Sequence, residues 1–376
     1  MKYREFCTGC GLCKSMGLSE LLEDEKGFKY PTETTKAFFS KCKEICPAGG
    51  KQCGQFDAKK IWGRSKAVYL GYSTNNNIRF HASSGGVLTS LCLYLLDNKI
   101  VDGIIQTRKD NYNPISTVTQ CSVTKEDVIS CCGSRYTVSS PLENISKYIG
   151  KGKKYAFIGK PCDIIALRNY ANLNPEVNTS IIIMLSFFCA GIPSKAANIS
   201  LLQKLKCNKD SCISLTYRGD GWPGYTTAQK EDGSISKLTY QEAWRDTLGR
   251  DVRKICRFCL DGIGELADIS CGDAWYLNKI KKPIFEENQG RNVIFARTDI
   301  GKQILLDAEK KGYLYLKNYE NYEEELKHSQ AYQYERRQSL TTILSAMKIT
   351  GRSIPDYNWK LLKAYAQDYG INKKLR

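Results

Sequence analysis

Residues 155–162 read Tyr-Ala-Phe-Ile-Gly-Lys-Pro-Cys, and residues 181–189 read Ile-Ile-Ile-Met-Leu-Ser-Phe-Phe-Cys. Both are short apolar runs that stop at Gly, Pro or Cys, the pattern of buried strands. Each is followed by a stretch with helical spacing, 163–170 after the first and 195–206 after the second. The alternation extends outward: 68–71 reads as a strand, 84–98 as a helix, 102–106 as a strand, 291–297 as a strand and 299–311 as a helix. Strands alternating with helices predict an α/β core with a mixed sheet. That core occupies residues 61–318. A cysteine-rich head, 1–60, precedes it. The polar, Tyr-rich stretch 319–376 is expected to be a helical C-terminal extension, a peripheral lid.

The 376 residues are 42 % apolar and 25 % charged, an ordinary globular composition. With 23 Tyr and 12 Phe the chain has too much aromatic surface to stay disordered. The longest apolar run, 181–192, falls short of the roughly 20 residues of a membrane span. The start, Met-Lys-Tyr-Arg-Glu-Phe-Cys, has no apolar signal-peptide core, so a cytoplasmic location is expected. Seventeen cysteines in a reducing compartment point to metal or redox chemistry rather than disulfides. The formal charge of +17 is scattered apart from short runs at 151–154 and 279–282. Without a basic stripe it argues for anionic cofactors, an anionic substrate or an acidic redox partner, and against nucleic acid.

The strongest local signal is Cys7-x2-Cys10-x2-Cys13. Three thiolates at this spacing can wrap one face of a 4Fe-4S cubane, with Gly9 and Gly11 allowing close backbone approach. Laid on the two-cluster ferredoxin frame, the chain has Gly17 where a fourth cysteine would stand, and Lys36 and Phe39 where two more would. One cluster is lost. The other keeps Cys7, Cys10, Cys13 and Cys46, the last in Cys46-Pro47. The head is therefore ferredoxin-like with one 4Fe-4S cluster. Cys42 is a remnant ligand, and Cys53 has no assigned role. A zinc knuckle on Cys7, Cys10, Cys42 and Cys46 is the alternative. A second set is assembled from Cys162 and Cys189, each just past a strand, and Cys256-x2-Cys259. Ligands of an open α/β sheet bind beyond the carboxyl ends of its strands, so these four are expected to hold a second 4Fe-4S cluster. Cys92 sits on an apolar helix pattern and reads as core.

Two loops read as cofactor-binding. Ser83-Ser84-Gly85-Gly86 opens an apolar helix, where free amides suit a diphosphate or a flavin edge. Gly133-Ser134-Arg135-Tyr136 offers a turn, a cation and a ring to stack on an isoalloxazine. His81 is one of two histidines and is a candidate proton donor. Lys160, beside Cys162, is a candidate for stabilising an anionic reduced flavin. Arg218 and Trp222 are expected to line the substrate cleft. His81, Lys160 and Arg218 form the expected catalytic set.

Taken together, these motifs resemble the beta-subunit family of coenzyme F420 hydrogenases and dehydrogenases. The landmarks run in order: the ferredoxin-like start, Ile78-Arg79, Ala82-Ser83-Ser84-Gly85-Gly86-Val87, Val101-Asp102-Gly103, Gly133-Ser134-Arg135-Tyr136, Gly159-Lys160-Pro161-Cys162, Cys189-Ala190-Gly191, Cys256-x2-Cys259 and Ala267-Asp268-Ile269-Ser270-Cys271-Gly272-Asp273. The resemblance implies FAD plus 4Fe-4S clusters, the flavin trading single electrons with a cluster and hydride with an organic substrate. A head with one cluster, where some relatives have two, departs from it. The expected function is that of an FAD- and 4Fe-4S-dependent oxidoreductase, passing electrons from a ferredoxin-like donor to a small-molecule or saccharide substrate. The Lys-, Asn- and Ile-rich composition resembles AT-rich bacterial genomes and tilts this toward relatives associated with surface-polysaccharide synthesis. A homo-oligomer is compatible with the sequence. The alternatives are an electron-relay subunit of a hydrogenase or formate dehydrogenase that reduces coenzyme F420, a zinc-binding interaction protein, and a nucleic-acid binder.

Overall fold

The computed structural model describes residues 2–32, 35–49, 56–57 and 59–366; Cys53 lies outside them. An eight-stranded mixed sheet organises the chain. Its strands are β1 (Ala67–Ser73), β2 (Gly103–Lys109), β3 (Thr117–Ser122), β4 (Tyr155–Gly159), β5 (Ile181–Phe187), β6 (Ile269–Asp273), β7 (Asn292–Ala296) and β8 (Leu314–Asn318). They lie in the order β8-β1-β7-β6-β5-β4-β2-β3. The central pairs β2·β4, β4·β5 and β5·β6 are parallel, and the pairs toward both edges are antiparallel.

The continuous apolar runs of β4 and β5 exist because both faces of the sheet are covered. On one face, Ile104, Ala156, Ile183 and Leu185 pack with helix α1 (Val87–Asp97), which buries Val87, Leu91 and Leu95. On the other, Ile105, Phe157 and Met184 pack with helix α2 (Pro161–Leu173), which buries Ile164, Ile165 and Leu167. Neighbouring residues facing opposite cores is the two-residue period of a strand. A separate three-stranded antiparallel sheet, Cys212–Thr216, Thr226–Lys230 and Ile235–Leu238, carries one wall of the site.

Both ends of the chain pack against the sheet. The head is packed into the main core: Phe6, Leu12, Phe28 and Ile45 share one apolar cluster with Phe157 and Met184. Leu142 N donates to Cys10 O at 2.9 Å, and Asn169 Nδ2 donates to Ile45 O at 3.3 Å. The described residues beyond 319 form the helices Tyr322–Ser329, Ala331–Ile349 and Trp359–Ala366, and the last two pack into the core. Helix α3 (Ala331–Ile349) and the helix Trp359–Ala366 place Leu340, Leu344, Leu361, Leu362 and Tyr365 in the same cluster. Arg337 of α3 is buried, donating to Leu260 O, Ile61 O and Glu265 Oε2 at 3.0, 2.8 and 2.7 Å. The sequence pattern hides this because a buried arginine reads as a surface residue until its partners are known. Among the described residues no helix is long and apolar enough to cross a membrane.

Candidate functional site

In the head, Gly9 at φ +73° and Gly11 at φ +89° wind the loop that carries Cys7, Cys10 and Cys13. Only glycine adopts these angles without strain. A Cβ on Gly11 would stand 2.8 Å from Glu143 N, and one on Gly9 would stand 2.9 Å from Arg253 Nη2. The glycines thus serve the turn and the packing of the loop on the core. Cys42 lies in the last turn of the helix Lys36–Ile45 and Cys46 follows it. All five cysteines line one small cavity, so Cys42 belongs to the group geometrically as well as the expected four. Burial, reinforced by neighbouring charged groups, pushes Cys13 and Cys42 up to about 12 and also raises Cys10 and Cys46 well above the ordinary thiol value. Such a set is held as thiolates only around a cationic centre. The N–H of Gly9 already points at Cys7 Sγ, at 3.3 Å.

The second group forms at the carboxyl ends of β4 and β5, where Gly159 and Ser186 pair. Cys162 sits in the first turn of α2, Cys189 follows β5, and Cys256 and Cys259 come from the short 3-10 helix Lys254–Phe258 and its end. Burial raises all four thiols, Cys189 to about 11 and Cys256 to about 12, and Cys162, Cys189 and Cys256 also feel the charge of other members of the group. Among the described residues no three His, Cys, Asp or Glu side chains close on one point as ligands of a single ion would. The donor set, four thiols of which Cys256 is buried and the others half-buried, with no carboxylate or imidazole, suits an iron–sulfur body rather than magnesium or calcium. The two groups are neighbours: Asp163 is close enough to raise both Cys10 and Cys162. Arg253 joins them as well, donating to Cys7 O at 3.0 Å and lying beside Cys256.

A cavity of about 600 Å³ adjoins the second group, a size typical of cofactor sites. The carboxyl ends of the parallel strands form its floor through Gln106, Gly159, Phe187 and Gly272. Helix α1 enters with Gly86 at φ +75° and no side-chain cap, so its first amides lack a side-chain partner. Ser83, Ser84, Gly86, Gly133, Ser134, Arg135, Tyr136, Lys160 and Arg218 all line it, as does Cys189. Ser83 Oγ accepts from Ser134 N at 2.6 Å and ties the two expected binding loops together. Among the described residues, three buried polar atoms of lining side chains have no hydrogen-bond partner: Arg135 Nε, Asp163 Oδ1 and Asn292 Oδ1. Orphaned buried donors and acceptors on a concave wall are what a polar ligand satisfies.

Some expected residues take other places. Gly85 does not line the cavity. Its Cβ would meet Asn292 N and Arg291 Cα at 3.0 Å, so glycine is required there for packing on β7. His81 is not brought to the cavity either; it is exposed, with Nδ1 2.5 Å from Asp220 Oδ1. Arg218 reaches the cavity wall with each of its three nitrogens bonded, bidentate to Asp273 at 2.9 and 3.1 Å and donating from Nε to Pro223 O. It acts as a positioning clasp. Trp222 lies behind the wall, stacked at 4.6 Å on Trp275, which does line the cavity. Tyr136 packs at 4.8 Å from Trp244 rather than standing free to stack a ligand. Lys160 is buried, with Nζ 2.8 Å from Asp163 Oδ2 and 2.9 Å from Ser139 Oγ. Burial opposes its charge, but Asp163 and the thiols of Cys162 and Cys189 outweigh this and hold it above the ordinary lysine range. Sequence reading missed the aromatic wall of Tyr240, Trp244, Trp275 and Phe285, and residues 328–333 from the C-terminal extension. Its only signal was an excess of aromatics in 240–285.

An α/β protein with two neighbouring groups of cysteines, one of which borders a ligand-sized cavity through Cys189, suits redox work. Residues 68–147 match the N-terminal model, and residues 152–322 the C-terminal model, of the family described as "Coenzyme F420 hydrogenase/dehydrogenase, beta subunit". The chain belongs to this family. It is 28 % identical over 249 residues to the F420-dependent formate dehydrogenase subunit beta of Methanocaldococcus jannaschii, 65 % of this chain and 60 % of that one, so it spans less than two thirds of that relative's length. It is 26 % identical over 311 residues to the coenzyme F420-dependent sulfite reductase of the same organism, covering 79 % of this chain and 45 % of the relative. It is 24 % identical to the coenzyme F420 hydrogenase subunit beta of Methanothermobacter thermautotrophicus, covering 67 % and 84 %. A chain of the F420-reducing [NiFe] hydrogenase complex of Methanosarcina barkeri has the same fold, with a TM-score of 0.60 at 21 % identity over 79 % of this chain and 97 % of that one.

Proposed function

We propose that this chain is an electron-relay subunit. In this reading FAD occupies the cavity, Cys162, Cys189, Cys256 and Cys259 hold a 4Fe-4S cluster beside it, and Cys7, Cys10, Cys13 and Cys46 hold a second one beyond. Electrons run between a hydride carrier of the deazaflavin class at the cavity and a partner's redox centre at the head. When bound, FAD supplies the exchange between hydride and single-electron chemistry.

The observation that carries this is the double role of Cys189, which lines the cavity and belongs to the second group of thiols. The chain's own contributions follow from the geometry. The uncapped start of α1 and Arg135 bind a diphosphate. Lys160, held charged by Asp163, orients and stabilises an anionic ring edge. Tyr240, Trp244 and Trp275 exclude water, and Arg218 fixes that wall through Asp273 and its stacking 5.3 Å from Trp275. The F420 dependence named for the relatives supports the deazaflavin assignment and gives none to surface-polysaccharide synthesis, so the saccharide reading is set aside.

The test uses the anaerobically purified chain with reduced F420 as hydride donor, followed by rapid-freeze electron paramagnetic resonance. In the wild type both flavin and head cluster become reduced. In Cys189→Ser the flavin is still reduced, while the head cluster stays oxidised for at least about a hundredfold longer. Head-cluster reduction at the wild-type rate in a variant lacking the second cluster would refute the relay.

A further inference from the structure

We infer that Arg336, on the C-terminal helix α3, is the cation that sets the reduction potential of the cluster on Cys162, Cys189, Cys256 and Cys259. This rests on the function proposed for the two cysteine groups. It assigns a role to a segment beyond residue 322, where the family match ends.

Arg336 is buried, at 7 % exposure, and lies against the cysteine loops. Its Nη2 donates to Cys189 O at 3.2 Å and to Gln333 Oε1 at 2.5 Å. Gln333 Nε2 donates to the same Cys189 carbonyl at 3.1 Å. Tyr332 Oη donates to Ala190 O at 3.1 Å, so one helix face clasps the loop that carries the ligand. The guanidinium thus stands near Cys189, Cys256 and Cys259. No carboxylate takes part in these contacts, in contrast to Arg337 next to it, which is paired with Glu265. Arg336 Nε is buried without a hydrogen-bond partner. A buried, unpaired cation is expensive unless a negative centre lies near it. A four-thiolate iron–sulfur cluster, more negative after accepting an electron, is such a centre.

The protein gives up other options to keep this group in place. A Cβ on Gly262 would stand 1.5 Å from Arg336 Nη2 and 2.2 Å from Gln333 Oε1, so glycine is required to admit the guanidinium. Gly262 O in turn accepts from Cys189 N at 2.8 Å. Gly262, Cys189 and Arg336 form one packed unit.

The step concerned is the uptake of one electron by the cluster, with no bond made or broken and no proton exchanged. A fixed positive charge stabilises the added electron, so removing it makes reduction harder. The experiment is an anaerobic redox titration of the full chain with dithionite as reductant, read by electron paramagnetic resonance, with iron and sulfide counted per chain. Arg336→Gln should keep its iron and lower the reduction equilibrium constant of the second cluster about tenfold, a shift of about 59 mV to more negative potential for one electron. Arg336→Lys should restore most of the shift, and the head cluster should titrate as in the wild type. Gly262→Ala, which displaces the guanidinium without deleting it, should shift the potential in the same direction and decides the matter if Arg336→Gln does not fold. An unchanged second-cluster potential in an iron-replete Arg336→Gln or Gly262→Ala protein overturns the inference alone. A wild-type chain that holds no second cluster overturns the reading it rests on.

Discussion

Replacing Arg337 by Met tests whether the C-terminal helices are part of the fold or an appendage. The guanidinium is buried against two buried carboxylates, Glu265 at 2.7 Å and Asp261 at 3.7 Å, and it also satisfies Leu260 O and Ile61 O. Methionine fills much of the space but leaves the carboxylates without their main partner. Removing one member of a buried pair costs about 3–5 kcal/mol. Arg297 lies near enough to interact with both acids, which argues for one such loss, about 4 kcal/mol, rather than two. At roughly 2.1 cal/mol/K per residue, a 376-residue unit has an unfolding entropy of about 0.8 kcal/mol/K, so the melting temperature should fall by about 5 °C. Thermal unfolding followed by circular dichroism measures this directly. A shift of less than about 1 °C would refute the claim that this network joins extension and core.

Three further outcomes follow from the same contacts. Gly11→Ala combines a strained φ of +89° with a Cβ 2.8 Å from Glu143 N, so the head should undock and the chain lose about half its iron while keeping flavin; iron and flavin per folded chain check it. Gly85→Val should lower stability by about 1–3 kcal/mol through collision with β7, yet the folded fraction should retain flavin, since Gly85 does not line the cavity; denaturant unfolding with flavin stoichiometry separates the two effects. Acid should loosen the head. Burial raises the Asp251 carboxyl, but hydrogen bonds from Lys26 and Ser194 outweigh this and hold it below its ordinary value. A depressed folded value means the clasp stabilises above the unfolded pKa and is lost as pH falls through the folded one, so faster proteolysis between residues 20 and 35 is expected below about pH 4 and not near neutrality.

Much of the core was legible because it rests on local pattern. The apolar runs at 155–159 and 181–188 appear as β4 and β5, Tyr155–Gly159 and Ile181–Phe187, since strands covered on both faces carry no polar alternation to confuse them. Cys162 and Cys189 could be put together from sequence because both follow parallel neighbours in one sheet. What stayed hidden depends on contacts between distant segments. Gly85 and Gly86 look equivalent in sequence, but only Gly86 has a positive φ and borders the cavity, while Gly85 faces the backbone of β7. His81 sits two residues from the binding loop and is turned outward to Asp220 at the end of the helix Asn76–His81. Arg336 and Arg337 are adjacent and chemically identical, yet one meets the backbone of the Cys189 loop and the other a carboxylate, a difference fixed by helix rotation against loops more than seventy residues away.

The central claim is that the two groups of cysteines are iron–sulfur ligands in line with a flavin. Metal, acid-labile sulfide and released flavin, measured together on the anaerobically purified chain, test it most directly. The expected result is a brown protein with about eight iron, eight sulfide and one FAD per chain. A colourless protein carrying stoichiometric zinc and no flavin would contradict it.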